Sequence, residues 1–222
     1  MYNGDEKLIH NGKYLPYTML DFWKWAYSSL LHNMQRGTLA EFIVKSALDQ
    51  GGVITPNEKS GLAPYDLDGP WVAVWERPAR IEVKCSAFIQ LWDARDSKDP
   101  IHHASFSIAP SKLPDKQGDY NDAAPRQRNA DLYVFCLYTA KNRNTNILDL
   151  TWWEFYICST DELDEKFGDR KSLSLSKLRS FKQPCSFEQL YGQIVQICDS
   201  FTNDSKNRPA LFTPISNIHS ET

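Results

Sequence analysis

The sequence has no long hydrophobic run and few cysteines, and both absences restrict the class of protein. No apolar run approaches the ~20 residues that cross a membrane, and the first ten residues, MYNGDEKLIH, contain no apolar segment of the signal-peptide kind. The five cysteines are scattered and form no C-x-x-C pair, which predicts reduced, buried thiols. We therefore expect a cytoplasmic protein without a membrane partner.

Several motifs of common enzyme classes are also missing. The chain has no G-x-S-x-G, no G-x-x-x-x-G-K-[ST] and no G-x-G-x-x-G, which argues against a serine hydrolase elbow, a phosphate-binding P-loop and a dinucleotide fingerprint. The net charge is −3, so no overall positive field points to a nucleic-acid partner. A local basic groove can nevertheless lie on an acidic protein.

The composition is that of a folded domain. Of the 222 residues, 41% are hydrophobic and 13% are aromatic, enough for one core. We expect a single domain over residues 1–222, with its core at about 36–160 and a loose polar tail at about 203–222.

The apolar patterns predict helices alternating with short strands. Helices are expected at 19–31, 38–50, 161–166 and 187–198, strands at 51–55, 71–75, 80–88, 105–109, 131–138 and 152–158, and a loop at 110–130. The segments 71–75 and 80–88 are close enough to form a hairpin, and the continuous apolar run at 131–138 is typical of a central strand. This order predicts an α/β (α+β) sandwich with a mixed sheet.

The segment 38–50, TLAEFIVKSALDQ, is the clearest predicted helix. Thr38 and Glu41 have the spacing of a capping box, and Gly51 follows the last turn. The apolar arc covers more than half of the circumference, so we expect this helix to pack against the sheet. Glu41 lies at the edge of that arc.

The strand RIEVKCSAF (80–88) carries charged residues where burial is expected. Because successive side chains point to opposite faces, Glu82, Lys84 and Ser86 share one face of the strand. An acidic residue two positions before a lysine occurs at 5, 82, 96, 164, 169 and 204, but only Glu82 lies in an apolar, alternating strand. A carboxylate and an ammonium are costly on such a face unless they are paired or used.

Two more carboxylates precede this strand. Asp66 and Asp68 stand at the entry to the preceding strand, so pairing of the two strands brings one of them near Glu82, while Glu41 reaches in from the helix. Oxygen ligands of this kind suit Mg²⁺ or Mn²⁺. Lys84 beside such a cation can orient a water or stabilise charge on a phosphoryl group.

The order Glu41, Asp66, Glu82-Val83-Lys84 resembles the PD-(D/E)xK nuclease superfamily. The resemblance covers about residues 36–138, with 152–158 as a further strand, and implies a restriction-endonuclease-like three-layer sandwich with a central mixed β-sheet flanked by helices. Tyr65 separates Pro64 from the aspartate, so the choice between Asp66 and Asp68 stays open.

The resemblance implies a bacterial Mg²⁺-dependent (or Mn²⁺-dependent) hydrolase of phosphodiester bonds. It makes Asp66, Glu82 and the backbone carbonyl of Val83 the metal ligands, Lys84 the residue that positions water, and Glu41 a ligand to a second cation or its waters. The implied partner is nucleic acid, with DNA preferred, cut as an endonuclease in restriction, defence or repair. A homodimer is compatible with it.

Polar and basic residues near these positions are candidates for substrate contacts. They lie on the site strand, beside it, or just before the central strand: Ser86, Gln90, Arg77, Arg80, Arg126 and Arg128.

Simpler interpretations also fit the residues. Glu82 and Lys84 can form a solvated salt bridge, Glu41 can serve only its capping box, and Asp66 and Asp68 can be turn residues before Gly69-Pro70. In function, the alternatives are a catalytically inactive nucleic-acid-binding or scaffold module on the same fold, and a metal enzyme acting on small molecules.

Overall fold

The computed structural model describes residues 2–54, 64–90, 104–112 and 126–203. In chain order the elements are β1 (Lys7–His10), β2 (Lys13–Thr18), α1 (Met19–Tyr27), α2 (Asn33–Gln50), β3 (Leu67–Val72), β4 (Arg77–Ala87), β5 (Ser105–Ser107), β6 (Leu132–Tyr138), β7 (Trp153–Ser159), α3 (Thr160–Phe167), β8 (Ser172–Ser174), α4 (Leu175–Arg179) and α5 (Phe187–Asn203). Short 3₁₀ turns at Ala73–Trp75 and Leu150–Trp152 precede β4 and β7. Among the described residues, no helix combines the length and apolarity needed to cross a membrane.

The central sheet is mixed, as predicted. Its strand order is β3-β4-β6-β7, with antiparallel pairs at both sides and a parallel pair of β4 with β6 in the middle. The strands β1 and β2 form a separate hairpin, and β5 pairs with β8 in a second small sheet. The mixed α/β class is therefore confirmed.

Both faces of the central sheet are covered. One core joins the sheet to α2 and α5, and a second core joins the opposite face to β5, β8, α3 and α4. All seven residues of β6 are buried, which confirms the central strand predicted at 131–138. Since α5 contributes Leu190, Ile194 and Cys198 to the first core, the packed region extends well beyond residue 160.

The predicted hairpin is present but begins earlier than expected. Strand β3 starts at Leu67 and passes through Gly69-Pro70, which the sequence suggested as a turn. Proline is tolerated because β3 is an edge strand. A Cβ on Gly69 would lie 2.8 Å from the Ile81 Cδ1 atom and 3.2 Å from the Ala79 carbonyl oxygen, so any larger residue there requires the Ile81 side chain to shift.

The expected capping box of α2 is wrong. The helix begins at Asn33, and Thr38 lies inside it, where its hydroxyl donates to the Met34 carbonyl. The predicted end is confirmed, because the helix stops at Gln50 and Gly51 donates to the Ala47 carbonyl. The strand expected at 51–55 is absent from residues 51–54, which form a turn and coil, and residue 55 lies outside the described residues.

The remaining helices and strands are of the predicted type, but several differ from the predicted residue ranges. Helix α1 ends at Tyr27 rather than at 31, α3 and α5 contain the predicted helices, and β7 matches the predicted strand. The strand expected at 105–109 is β5, outside the central sheet. Residues 113–125 of the predicted loop and 204–222 of the predicted tail lie outside the described residues.

A buried carboxylate fastens β6 to β4. The Asp131 side chain is 4% exposed and accepts both Nη atoms of Arg77, and its Oδ2 also accepts the Arg80 backbone N–H at 2.8 Å. Its own N–H donates to the Arg80 carbonyl at 2.8 Å, and its carbonyl accepts from the Thr160 N–H at 2.9 Å. Asp131 thus sets where the parallel pairing starts.

We predict that Asp131→Ala lowers the free energy of unfolding by about 3–5 kcal/mol, because it leaves a partly buried guanidinium without its carboxylate. Asp49→Ala, which breaks the surface pair with Lys45, should cost no more than about 1 kcal/mol. Urea denaturation of both variants provides the measurement. Equal, small losses would show that the Asp131 network does not hold the sheet.

Candidate active site

Glu82 and Lys84 lie on one face of β4, as the alternation predicts. Ile81 and Val83 point into the core against the helices, and the side chains of Glu82 and Lys84 form an ion pair on the opposite face. Their side chains are 18% and 29% exposed, respectively. The pair is therefore half-buried, with the Lys84 side chain the more exposed of the two.

Asp66 reaches the same stretch of β4 from just before β3. Its N–H donates to the Ile81 carbonyl at 2.9 Å, and its Oδ2 accepts the Val83 N–H at 2.8 Å. Its carboxylate takes the position that a β3 carbonyl would occupy if the strand began earlier. The chain thereby holds this carboxylate against the backbone of the Glu82-Val83-Lys84 segment.

Asp68 occupies a different environment. It pairs in register with Arg80 and accepts a hydrogen bond from the Tyr65 hydroxyl. Burial raises the pKa of Tyr65, and the Asp68 charge raises it further. Of the two aspartates that the sequence left open, Asp66 is the one that the structure places at the Glu82 segment.

The backbone carbonyl of Val83 lies on the β3 side of β4. The N–H and C=O of one residue in a strand point to the same neighbouring strand. The Val83 N–H meets Asp66, on the β3 side of β4, so the Val83 carbonyl points to that side too. Because β3 begins only at Leu67, this part of the edge is where the predicted backbone ligand lies.

The charge of Glu82 is coupled to its neighbours. Burial raises the pKa of Glu82 above its ordinary value of 4.5, the Asp66 charge raises it further, and Glu41 adds a smaller contribution of the same sign. Lys84 acts in the opposite direction, through its charge and its hydrogen bond. Asp66, Glu82 and Lys84 therefore meet at one segment of β4, whereas Glu41 belongs to α2, which packs against the opposite face of the sheet.

Sequence reasoning did not identify Tyr133, which lies directly beside Glu82 on β6. The residue is 4% exposed, and its burial raises the pKa of the phenol, with the charge of Glu82 as the next cause. Tyr133 thus remains a neutral hydrogen-bond donor at physiological pH. Only the parallel register, which the sequence does not reveal, shows that it faces Glu82.

Two of the predicted substrate-binding arginines are engaged in the fold. Arg77 is paired with Asp131. The Arg128 side chain is 1% exposed and donates to Asp164 and to the carbonyls of Ile108, Gly168 and Arg170. Their placement does not support contact with a substrate.

The other candidates differ in access. Ser86 is buried, and Gln90 accepts a hydrogen bond from Arg36 at 3.1 Å. Arg80 lies with its guanidinium carbon 5.6 Å from the centre of the Tyr65 ring, and Arg126 is exposed. Arg80 pairs in register with Asp68, which follows Asp66 by two residues.

The described residues contain no ready-made cluster of metal ligands. In these parts of the chain, no group of three or more histidine, cysteine, aspartate or glutamate side chains is arranged to hold a metal ion. The five cysteines are free thiols, and burial raises the pKa of Cys85 and Cys185 to about 11. Thiols with so high a pKa are poor nucleophiles at neutral pH. Of the predicted buried cysteines, Cys136, Cys158 and Cys198 are buried, whereas Cys85 and Cys185 are only half-buried.

We predict that Glu82→Gln is more stable than the wild type at neutral pH. Because the folded-state pKa of Glu82 is raised, the native protein binds the proton more tightly than the unfolded chain does, and this contribution to stability is lost as pH rises through the folded pKa. The gain of the glutamine variant should therefore grow as pH rises from below 4.5 to 8, measured by urea denaturation.

Glu188→Gln serves as the control with the opposite sign. The Ser186 hydroxyl holds the pKa of Glu188 below its ordinary value, so this carboxylate contributes stability above pH 4.5 that is lost as pH falls. Its glutamine variant should lose stability relative to the wild type as pH rises. A Glu82→Gln variant that follows the same trend would contradict the electrostatic assignment.

Comparison with known proteins adds no assignment to this site. No family model matches the chain, and no curated protein matches it. The contacts among Asp66, Glu82, Val83 and Lys84 and the mixed sheet that carries them are the observations from which function is inferred.

Proposed function

We propose that the protein is a Mg²⁺-dependent nuclease of the cytoplasm that hydrolyses phosphodiester bonds, with DNA as the preferred substrate. The observation that carries the proposal is the Asp66 carboxylate held on the Val83 N–H at 2.8 Å, beside the Glu82–Lys84 pair. A carboxylate pair with an adjacent lysine is a combination suited to phosphoryl chemistry.

The topology supports a restriction-endonuclease-like arrangement. Helix α2 precedes the β3–β4 hairpin, and β6 lies beside β4 in a central mixed sheet with helices on both faces, which agrees with the three-layer sandwich that the resemblance implies. The strand predicted at 51–55 is absent from residues 51–54. The support for this fold therefore comes from β3, β4 and β6 and from helix α2.

The donor set fits a hard divalent cation. Burial and, after it, the charge of Asp66 raise the pKa of Glu82, while Lys84 lowers it and Glu41 contributes least. A cation that drew on Asp66, Glu82 and the Val83 carbonyl would offset this repulsion. Mg²⁺ usually takes only one or two carboxylates and keeps several waters, so two first-sphere carboxylates suffice.

A bound Mg²⁺ would supply Lewis-acid polarisation of the phosphate and a lowered pKa for an attacking water. The Lys84 side chain is partly exposed and carries an ammonium that donates to Glu82, so Lys84 can also orient a water and stabilise negative charge that develops on phosphate oxygens. Asp66 is fixed by the backbone and Glu82 by Lys84, so both carboxylates are held in place before substrate binds.

The accessibility of the pair favours a polymer over a small enclosed substrate. The Lys84 side chain is 29% exposed, and the residues that line a surface cavity at Ser28–Leu31, Arg143 and Thr145–Ile147 include none of the site residues. A degenerate scaffold on the same fold is the remaining alternative, and the experiments below separate it from an enzyme.

We predict Mg²⁺-dependent nicking of plasmid DNA that EDTA abolishes. Asp66→Asn, Glu82→Gln and Lys84→Ala should each lower the rate at least ~100-fold, because removing a group that stabilises transition-state charge costs about 2.7–4 kcal/mol. Single-stranded DNA and RNA of the same sequence establish the substrate class.

Asp68→Asn is the matched control for Asp66→Asn, since the two aspartates lie two residues apart and only Asp66 contacts the Val83 N–H. The control should keep its rate within about threefold of the wild type. Cleavage that survives EDTA and all three site substitutions would eliminate the proposed chemistry. Absence of cleavage with retained DNA binding would instead favour the scaffold.

We also predict that Mn²⁺ or Mg²⁺ stabilises the folded protein without any substrate. A ligand that binds only the native state adds about 2.7 kcal/mol at 100 times its Kd, which thermal denaturation detects as a higher Tm. Asp66→Asn and Glu82→Gln should lose this shift, and Asp68→Asn should keep it. An equal shift in all four proteins would place the cation elsewhere.

A further inference from the structure

The first part of the described chain, residues 2–27, forms an arm that is folded but not packed into either core. It consists of the β1–β2 hairpin and α1. All four residues of β1 are exposed, and α1 contains no buried residue. Neither hydrophobic core includes a residue before Leu30.

The arm nevertheless has a defined internal structure. Asn11 and Gly12 both have positive φ in the hairpin turn, and the Thr18 and Asp21 side chains form a capping box at the start of α1. The Trp23 ring lies so near Gly4 that a Cβ there would be 3.2 Å from it. The exposed apolar groups are therefore presented on an ordered surface.

The arm carries large apolar side chains on most of its length. Ten of them are between 38% and 85% exposed, with Trp25 the most exposed: Tyr2, Leu8, Ile9, Tyr14, Leu15, Tyr17, Leu20, Phe22, Trp25 and Tyr27. Phe22, Trp25 and Tyr27 form a ring cluster on α1, with centroids 6.5 and 6.4 Å from Phe22. A soluble monomer rarely leaves so extended an apolar surface uncovered.

The exposed area is large enough for a stable interface. Since an aromatic side chain offers roughly 150–250 Å², the ten side chains together present on the order of 1,000 Å² of accessible surface. A standard protein–protein interface takes about 800 Å² from each partner. An isolated two-stranded hairpin is also marginal in water, so covering it would stabilise the arm itself.

The arm carries no net charge. Residues 2–27 contain three acidic residues (Asp5, Glu6 and Asp21) and three lysines (Lys7, Lys13 and Lys24), so their net charge is zero with histidine neutral. A neutral apolar surface does not repel a second copy of itself. It also lacks the excess of positive charge that a phosphate backbone selects.

We propose that the arm is a homodimerisation surface whose partner is the arm of a second copy of this chain. In such an isologous interface, the same patch is used on both subunits. The Trp25 cluster and the Ile9–Tyr14 cross-strand pair are the anchors, because large, exposed aromatic and aliphatic groups dominate interface energetics. This assignment is independent of the proposed nuclease site.

The test is the mass of the full chain in solution, measured by sedimentation equilibrium over a wide concentration range. The chain is 25.5 kDa, and the wild type should sediment at twice that mass. Tyr14→Lys and Trp25→Lys should each weaken the dimer at least tenfold, with unchanged circular dichroism. Leu148→Lys, which replaces a side chain that is 59% exposed outside the arm, should leave the dimer unchanged.

Three results would overturn the proposal. A wild type that is monomeric at all concentrations removes the second copy as the occupant. A dimer that persists in both arm variants places its interface elsewhere. A monomer whose arm variants lose affinity for single-stranded DNA or RNA in a gel shift would show that the exposed rings stack on bases instead.

Discussion

The parallel pairing of β4 with β6 is the constraint on which the rest of the structure depends. Parallel strands cannot be joined by a tight turn, so their register must be fixed by side chains and packing. Asp131 does this at the start of β6 by binding both the Arg77 guanidinium and the backbone of Arg80. With that register set, β6 is buried on both faces, and Tyr133 lies beside Glu82.

The site follows from where β3 begins relative to β4. Because the antiparallel ladder opens at Leu67, the Val83 N–H is left for the side chain of Asp66 instead of a backbone carbonyl. This replacement fixes one carboxylate at the sheet edge, on the side of β4 where the Val83 carbonyl also lies. Burial and the charges of Asp66 and Glu41 then raise the pKa of Glu82, which is the electrostatic imbalance that a cation would relieve. The strand arrangement and the local charges therefore both act on the Glu82-Val83-Lys84 segment.

The sequence predicted features set by local pattern and missed those set by long-range contacts. The continuous apolar run gave β6, and alternation placed Glu82 and Lys84 on one face. The sequence could not decide between Asp66 and Asp68, since that choice depends on the hairpin register. It also suggested Arg128 as a substrate contact, although four partners distant in the sequence bind its guanidinium inside the fold. The start of α2 was wrong because the helix runs through Gly37 to Asn33, without a side-chain cap. The β1–β2 hairpin was not predicted, although Asn11-Gly12 is a dipeptide typical of tight hairpin turns.

The central claim is that Asp66, Glu82 and the Val83 carbonyl form one cation site. The most direct measurement is a crystal structure of the full chain grown with Mn²⁺, with anomalous diffraction locating the ion. The account predicts an anomalous peak about 2.1–2.2 Å from oxygen atoms of Asp66 and Glu82, in line with the short bonds of small divalent cations. It would be contradicted by Mn²⁺ bound at another place in the protein while the Asp66 and Glu82 carboxylates keep only their bonds to Val83 and Lys84.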